Sequence, residues 1–184
     1  AGGAMQTDWV HYTEGWYYAE PSGAQATGWR KVNGVWYYLD GDNAEYPGLM
    51  LSDCSKEING NTYTFRVSGA MATGWYQNGN DWYYYDASGL ITSGWRSIKG
   101  NWYYLDPADN NKMVNGGWRL IGNSWYFFYG NGAMATNWLV LNGEWYWLSD
   151  DGSMKTGWQT IDGKKYYLGN DGAMKTYWQS VDGK

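Results

Sequence analysis

Gly28-Trp29-Arg30-Lys31-Val32-Asn33-Gly34-Val35-Trp36-Tyr37-Tyr38-Leu39 decides how this chain folds. Two strand-forming runs flank Asn33-Gly34, and an Asn-Gly pair supplies the positive φ angles that a two-residue type I′ turn requires. The stretch therefore predicts a β-hairpin. The same turn signal returns as Lys99-Gly100, Asn142-Gly143 and Asp162-Gly163, each between alternating strand formers.

The pattern around that stretch repeats about every twenty residues. Its first tryptophan falls at Trp9, Trp29, Trp75, Trp95, Trp118, Trp138, Trp158 and Trp178, with Ser55 in that slot of one degenerate copy. Seven residues later comes a second, at Trp16, Trp36, Trp82, Trp102, Trp125 and Trp145. Fourteen of the 15 tryptophans thus occupy two slots, which chance does not produce. A linker follows each hairpin, as in Gly69-Ala70-Met71-Ala72-Thr73 or Gly152-Ser153-Met154-Lys155-Thr156.

A lone hairpin is marginal in water, so each unit must lean on its neighbours. The expectation is an all-β, elongated solenoid of about nine tandem hairpins forming one module over residues 1–184, with a degenerate copy at about 49–73. Two gaps break the period: Trp29 to Ser55 is 26 residues and Trp95 to Trp118 is 23. The extra residues, 41–47 and 107–111, are polar and read as extended turns rather than calcium loops, since they lack EF-hand spacing.

Composition narrows the function. Of 184 residues, 15 are Trp, 19 Tyr and 3 Phe, while 27 are Gly and 3 Pro. A net charge of -5 with 13 scattered Lys and Arg argues against nucleic acid. No apolar run is long enough to span a membrane, and no signal peptide stands at the N-terminus, so any export signal is expected outside this sequence. The single Cys54 cannot form an internal disulfide and reads as a small apolar residue.

One His and one Cys preclude a His/Cys metal cluster, and neither a phosphate loop nor a nucleophile elbow is present. His11 reads as a solvated strand residue. The carboxylates fall in turns, as at Asp150, Asp151 and Asp171, where capping explains them. No catalytic residue, metal or cofactor is expected, and any enzyme activity would belong to a domain outside this chain.

Side chains alternate across a strand, so Trp36 and Tyr38 point to one side and Tyr37 to the other. Pairing through Asn33-Gly34 sets Trp29 opposite Tyr38, which brings Trp29, Trp36 and Tyr38 onto one face. A packed core would need only apolar volume, which Leu or Val supply. Trp at two fixed slots adds electron-rich ring faces, which attract quaternary ammonium groups. Some of these rings must both pack and bind.

Gly-Trp, then Trp-Tyr-Tyr-Leu, then Gly-x-Met-x-Thr-Gly-Trp resembles the choline-binding repeat of pneumococcal and clostridial surface proteins. Nearly the whole chain carries the pattern, with 75–94, 118–137 and 138–157 the best copies. The resemblance implies a left-handed solenoid in which choline sits between consecutive hairpins, held by two Trp of one repeat, a Tyr of the next and often the linker Met.

Carried over by strand parity, it implies Trp9 and Trp16 with Tyr38, where Gln25 replaces the Met, and Trp75 and Trp82 with Tyr104 beside Ile91. Trp95 and Trp102 fall with Phe127, disturbed by the insertion near Met113. Trp118 and Trp125 fall with Trp147 beside Met134, and Trp138 and Trp145 with Tyr167 beside Met154. A shifted register would put Tyr37-type residues in place of Tyr38. Ser55 and Thr62 empty both Trp slots of one copy, and Thr64 stands where Trp29 and Trp36 would find their third ring, so those sites are expected to be absent or altered. Lys165 puts a charge in the second Trp slot of its copy.

The implied partner is choline on teichoic or lipoteichoic acid, and the implied place is the bacterial cell surface. Two other readings stay open. Related glucan-binding and toxin repeats also carry Gly-Trp and Tyr-Tyr and bind sugars, as Asp162-Gly163-Lys164-Lys165-Tyr166-Tyr167 suggests, though the doubled Trp favours choline. An adhesin could instead use the odd copy at 49–73 to engage a host protein.

Overall fold

The computed structural model describes residues 5–176. It holds eight antiparallel hairpins in series among those residues. The first pairs Asp8–Tyr12 with Gly15–Ala19, the second Gly28–Val32 with Val35–Asp40, the third Cys54–Ile58 with Asn61–Phe65, and the fourth Gly74–Asn78 with Asp81–Tyr85. The fifth pairs Gly94–Ile98 with Asn101–Asp106, the sixth Gly117–Ile121 with Ser124–Phe128, the seventh Asn137–Leu141 with Glu144–Leu148, and the eighth Gly157–Ile161 with Lys164–Leu168. The copy that would begin at Trp178 lies outside the described residues. Two compact units divide the chain, one up to Thr92 and one from Ser93 on.

The turns have the chemistry their residues dictate. Asn33 and Gly34 take φ of 48° and 85°, and Lys99-Gly100, Asn142-Gly143 and Asp162-Gly163 do the same. Both central residues in the left-handed region define type I′. Register follows: Trp29 faces Tyr38 and Lys31 faces Trp36, and the same pairing recurs at Trp9 with Tyr18, Trp75 with Tyr84 and Trp95 with Tyr104.

From the second hairpin on, burial concentrates at or one residue before the end of the second strand. Leu39, Phe65, Leu105, Phe128, Leu148 and Leu168 are fully buried, and Tyr85 nearly so. A linker residue bridges each of them: Met50 pairs with Leu39, Met71 with Phe65, Ile91 with Tyr85 and Met154 with Leu148. The linker Met then rests on the turn glycine of the next copy. At Gly89, with φ of 85°, an added Cβ would lie 2.5 Å from Met71 Sδ, so the Gly-x-Met motif is a stacking device as well as a turn.

Both insertions are structured turns that end in a short third strand, Leu49–Met50 against the second hairpin and Lys112–Met113 against the fifth. In the first, the Asn43 side chain accepts from the backbone N–H of Glu45 and Tyr46 at 3.1 and 2.9 Å. The second begins with a 3-10 turn over Pro107–Asp109, capped by Asp106. Cys54 packs partly buried against the Ile58, Phe65 and Met71 cluster, and burial pushes its thiol pKa up, which keeps it neutral.

Candidate functional site

Within a hairpin the two tryptophans meet at right angles. Ring centroids lie 6.2 Å apart at 87° for Trp29 and Trp36, 6.4 Å at 90° for Trp9 and Trp16, 6.3 Å at 84° for Trp75 and Trp82, and 5.9 Å at 82° for Trp138 and Trp145. The first Trp of each pair is half-buried. In five of the six pairs its partner is not: Trp16, Trp36, Trp102, Trp125 and Trp145 are 39 to 45% exposed, whereas Trp82 is half-buried. Large rings held at nearly equal exposure in successive copies form a surface that folding alone would have covered.

The ring opposite the first Trp belongs to the same hairpin. Tyr38 sits 5.2 Å from Trp29, Tyr104 5.1 Å from Trp95, Phe127 5.3 Å from Trp118, Trp147 5.2 Å from Trp138 and Tyr167 5.1 Å from Trp158. This corrects the assignment by parity, which gave these rings to the preceding pair of tryptophans. The ring that the following hairpin contributes is the first Tyr of its Trp-Tyr-Tyr: Tyr37 lies 4.8 Å from Trp9, Tyr63 4.8 Å from Trp29 and Tyr126 4.8 Å from Trp95. Tyr146 and Tyr166 follow at 5.2 Å from Trp118 and 5.0 Å from Trp138. Parity correctly separates the two faces of a hairpin; the next hairpin docks through the face opposite to its own tryptophans.

The methionines move by one repeat for the same reason. Met154 donates its backbone N–H to Trp125 O at 2.8 Å and packs, as Trp118 and Tyr146 do, against the Ala135, Leu139 and Leu148 cluster, so it belongs to that pair and not to Trp138 and Trp145. Met134 likewise bonds Trp102 O at 2.8 Å, away from Trp118 and Trp125. Gln25 pairs with Ala19 and donates its side-chain amide to Pro47 O. Ile91 pairs with Tyr85 and lines a cavity at Ser55 rather than standing by Trp75 and Trp82.

One cage lies at a junction where the sequence reading expected the site to be absent or altered. Trp29, Trp36, Tyr63 and Met71, with Ala87 and Ser88 of the next linker, enclose about 320 Å³. Thr64 does not spoil it, because Tyr63 supplies the third ring. The degenerate copy has lost its own tryptophans and still completes its neighbour's cage. At the rim, Lys31 holds its ammonium 5.6 Å from the Trp36 centroid, so a cation already rests on that ring. His11, exposed as expected, lies 4.7 Å from Trp16. In the eighth hairpin Lys165 takes the second slot, and Trp158 is left 62% exposed.

Tyr37, Tyr63, Tyr126, Tyr146 and Tyr166 are the residues that sequence reasoning kept only as an alternative tied to a shifted register, whereas the register is the expected one and they still face the preceding Trp. A signal was present: this slot is Tyr in all eight hairpins, including Tyr17, Tyr83 and Tyr103, whereas the Tyr38 slot also holds Thr64, Phe127 and Trp147.

These aromatic junctions have counterparts. Residues 6–46, 54–95 and 114–156 match the choline-binding repeat, and 93–107 and 156–174 match a cell wall binding repeat. The chain belongs to the choline-binding repeat family. No curated protein sequence matches it. Among solved structures, CbpJ from Streptococcus pneumoniae is similar at 34% identity and a TM-score of 0.77, over 92% of this chain and 58% of CbpJ. Choline binding protein F from the same organism, in the presence of a tetrasaccharide-pentapeptide peptidoglycan analogue, is 32% identical with a TM-score of 0.73, over 98% of this chain and 68% of the other. CbpF in complex with ipratropium is 30% identical with a TM-score of 0.72 over 98% of this chain and 70% of the other. This choline-binding repeat chain thus spans somewhat more than half the length of CbpJ. Among its described residues no helix is long and apolar enough to cross a membrane.

Proposed function

We propose that the chain is a non-catalytic module that holds a bacterial surface protein on the wall by binding choline of teichoic and lipoteichoic acids. The observation that carries this is the set of exposed second-slot tryptophans, each set beside a half-buried Trp and the first Tyr of the next hairpin. Such a cage offers ring faces and few hydrogen-bond acceptors. A quaternary ammonium carries charge without N–H donors and loses little by leaving water, so it fits where a primary ammonium does not.

The proposed cages are Trp9, Trp16 and Tyr37; Trp29, Trp36, Tyr63 and Met71; Trp95, Trp102, Tyr126 and Met134; Trp118, Trp125, Tyr146 and Met154; and Trp138, Trp145 and Tyr166. Trp75 and Trp82 are a further candidate pair. The CbpF complex supports the reading, since ipratropium is itself a quaternary ammonium compound.

Each ring contributes roughly 0.5 to 2 kcal/mol, so three give about millimolar affinity per cage. A contact that weak anchors nothing alone, but several cages on one polymer raise avidity by roughly a hundredfold to ten-thousandfold. The test is calorimetric titration of the whole chain with choline and, as control, ethanolamine. Choline should bind and quench Trp fluorescence, and ethanolamine should do far less. Trp36→Ala, Trp125→Ala and Trp145→Ala combined should sharply weaken retention on a choline resin while circular dichroism still reports folded hairpins. Absence of heat with choline, or normal retention of the folded triple variant, sinks the proposal.

A further inference from the structure

The junction after the third hairpin keeps its neighbour's cavity and changes its chemistry. It encloses about 310 Å³, against about 320 Å³ at Trp29 and Trp36. Ser55, Tyr83 and Ile91 line it in the positions that Trp29, Tyr63 and Met71 hold one repeat earlier. With Ser55 and Thr62 in both Trp slots, this hairpin offers no indole face to a quaternary ammonium.

A chain of hydroxyls replaces the rings. Ser55 Oγ and Thr64 Oγ1 are 2.8 Å apart, and Thr64 Oγ1 is 2.9 Å from the Tyr85 hydroxyl. Three hydroxyls carry three protons and two mutual bonds use two of them, so one O–H and several lone pairs are left over. Thr64 and Tyr85 are only 7% exposed, which places that spare capacity at the floor of the cavity.

Tyr85 is the telling residue. Its position is Leu or Phe in the second, third, fifth, sixth, seventh and eighth hairpins, and an oxygen buried there costs free energy unless it is bonded. Tyr76 and Tyr83 form the walls, and Asp53 and Asn78 stand at the rim. The Arg66 guanidinium lies 5.3 Å over Tyr76 and donates to Thr73 O and Trp75 O at 3.1 Å each, which fixes that ring.

We propose that this junction is a second kind of binding site, one that takes a neutral sugar ring. The tyrosines would stack on the C–H face of a pyranose, while the hydroxyl chain, Asp53 and Asn78 exchange hydrogen bonds with its hydroxyls. A trimethylammonium has no O–H or N–H to exchange with the hydroxyl chain or with Asn78. The volume sits at the lower end of the range of ligand cavities, about 300 to 1,000 Å³, and suits a monosaccharide unit. The proposal stands apart from choline binding, since Ser55, Thr64 and Tyr85 belong to none of the ring cages.

Saturation-transfer NMR on the whole chain with glucose, galactose and N-acetylglucosamine tests it. At least one of these should receive transfer, and excess choline should not displace it. Tyr85→Phe and Ser55→Ala should each weaken the sugar about tenfold and leave the choline titration unchanged. Tyr85→Phe should fold, because Phe128 fills the same position in the sixth hairpin. Transfer to none of the three sugars, transfer undiminished in both variants, or displacement by choline overturns the proposal, and a choline titration on the same sample shows whether the ring cages have failed as well.

Discussion

The second and third hairpins share a register, a turn type and a buried floor, yet the junctions that follow them differ in almost every side chain that faces the cavity. One is walled by Trp29, Trp36, Tyr63 and Met71, the other by Ser55, Thr64, Tyr83 and Ile91. The stack therefore does not depend on the tryptophans. What both copies retain is a large buried residue at the strand end, Leu39 and Phe65, and a linker residue bridging it. The fold rests first on that spine; the exposed second Trp slot is free to specify chemistry, while the half-buried first slot also packs.

The sharpest way to break this comparison is to attack the buried spine between the two junctions. Phe65 is fully buried, 5.8 Å from Trp29 and 6.3 Å from Tyr38, and it lies in one cluster with Ile58 and Met71. Phe65→Ala should destabilise the first unit by about 3 to 5 kcal/mol in chemical denaturation and weaken choline binding at Trp29 and Trp36 with it. If stability barely moves, the spine is not where the fold is held.

Next in size is the hydroxyl chain. Thr64→Val leaves the Tyr85 and Ser55 hydroxyls without their shared partner and should cost about 1 to 3 kcal/mol. Adding Tyr85→Phe removes one stranded group and should restore part of that loss. A double-mutant cycle then reads the coupling, and strict additivity would show that the two hydroxyls do not act together.

The fold was legible to a large extent, and the reason is physical. Positive φ at Asn33-Gly34 and its equivalents fixes the turn, the turn fixes the register, and the register sets Trp29 against Tyr38. The partner across a junction was not legible by that route. Alternation along a strand says that Tyr37 and Tyr38 point apart, and it is silent on which face the next hairpin offers. The constancy of Tyr at the slot of Tyr37, Tyr63 and Tyr83 carries that information, because a residue pressed between two copies varies less than one set against its own hairpin. The Met assignment failed by one repeat from the same cause. The Trp29 cage was discounted because the third copy was judged by the slots it lost and not by the Tyr63 it keeps.

Within the proposed Trp29 cage, exposure separates the ring offered to a ligand from the ring that packs. Trp36 is exposed, whereas Trp29 is half-buried and packs on the Ile58, Phe65 and Met71 cluster. Trp36→Ala should remove about one choline from the calorimetric stoichiometry, a loss of roughly 0.5 to 2 kcal/mol at that cage, with a small change in melting temperature. Trp29→Ala should lose the site and stability together. Equal stability losses from the two would mean that the exposed ring is structural after all.

The smallest effect contrasts the linkers. After the third hairpin the turn uses Ser68, whose Oγ accepts from the Ala70 N–H at 3.4 Å. After the seventh the equivalent residue is Asp151, whose Oδ1 accepts from Ser149 Oγ, Ser153 Oγ and the Ser153 N–H at 2.5, 2.7 and 2.9 Å. These bonds, those of Ser149 first, favour the carboxylate and lower its pKa from 3.8 to about 2. A depressed pKa stabilises the fold above the unfolded value, and that contribution fades as pH falls through the folded one. Melting temperature should therefore drop between about pH 4 and pH 2, and Asp151→Asn should flatten that part of the profile. Because Asp151 is exposed, solvent screening holds its share below about 1 kcal/mol. An unchanged acid profile in Asp151→Asn would show that the hydroxyl cradle binds carboxylate and neutral amide alike, and that this linker is no more sensitive to acid than the one built on Ser68.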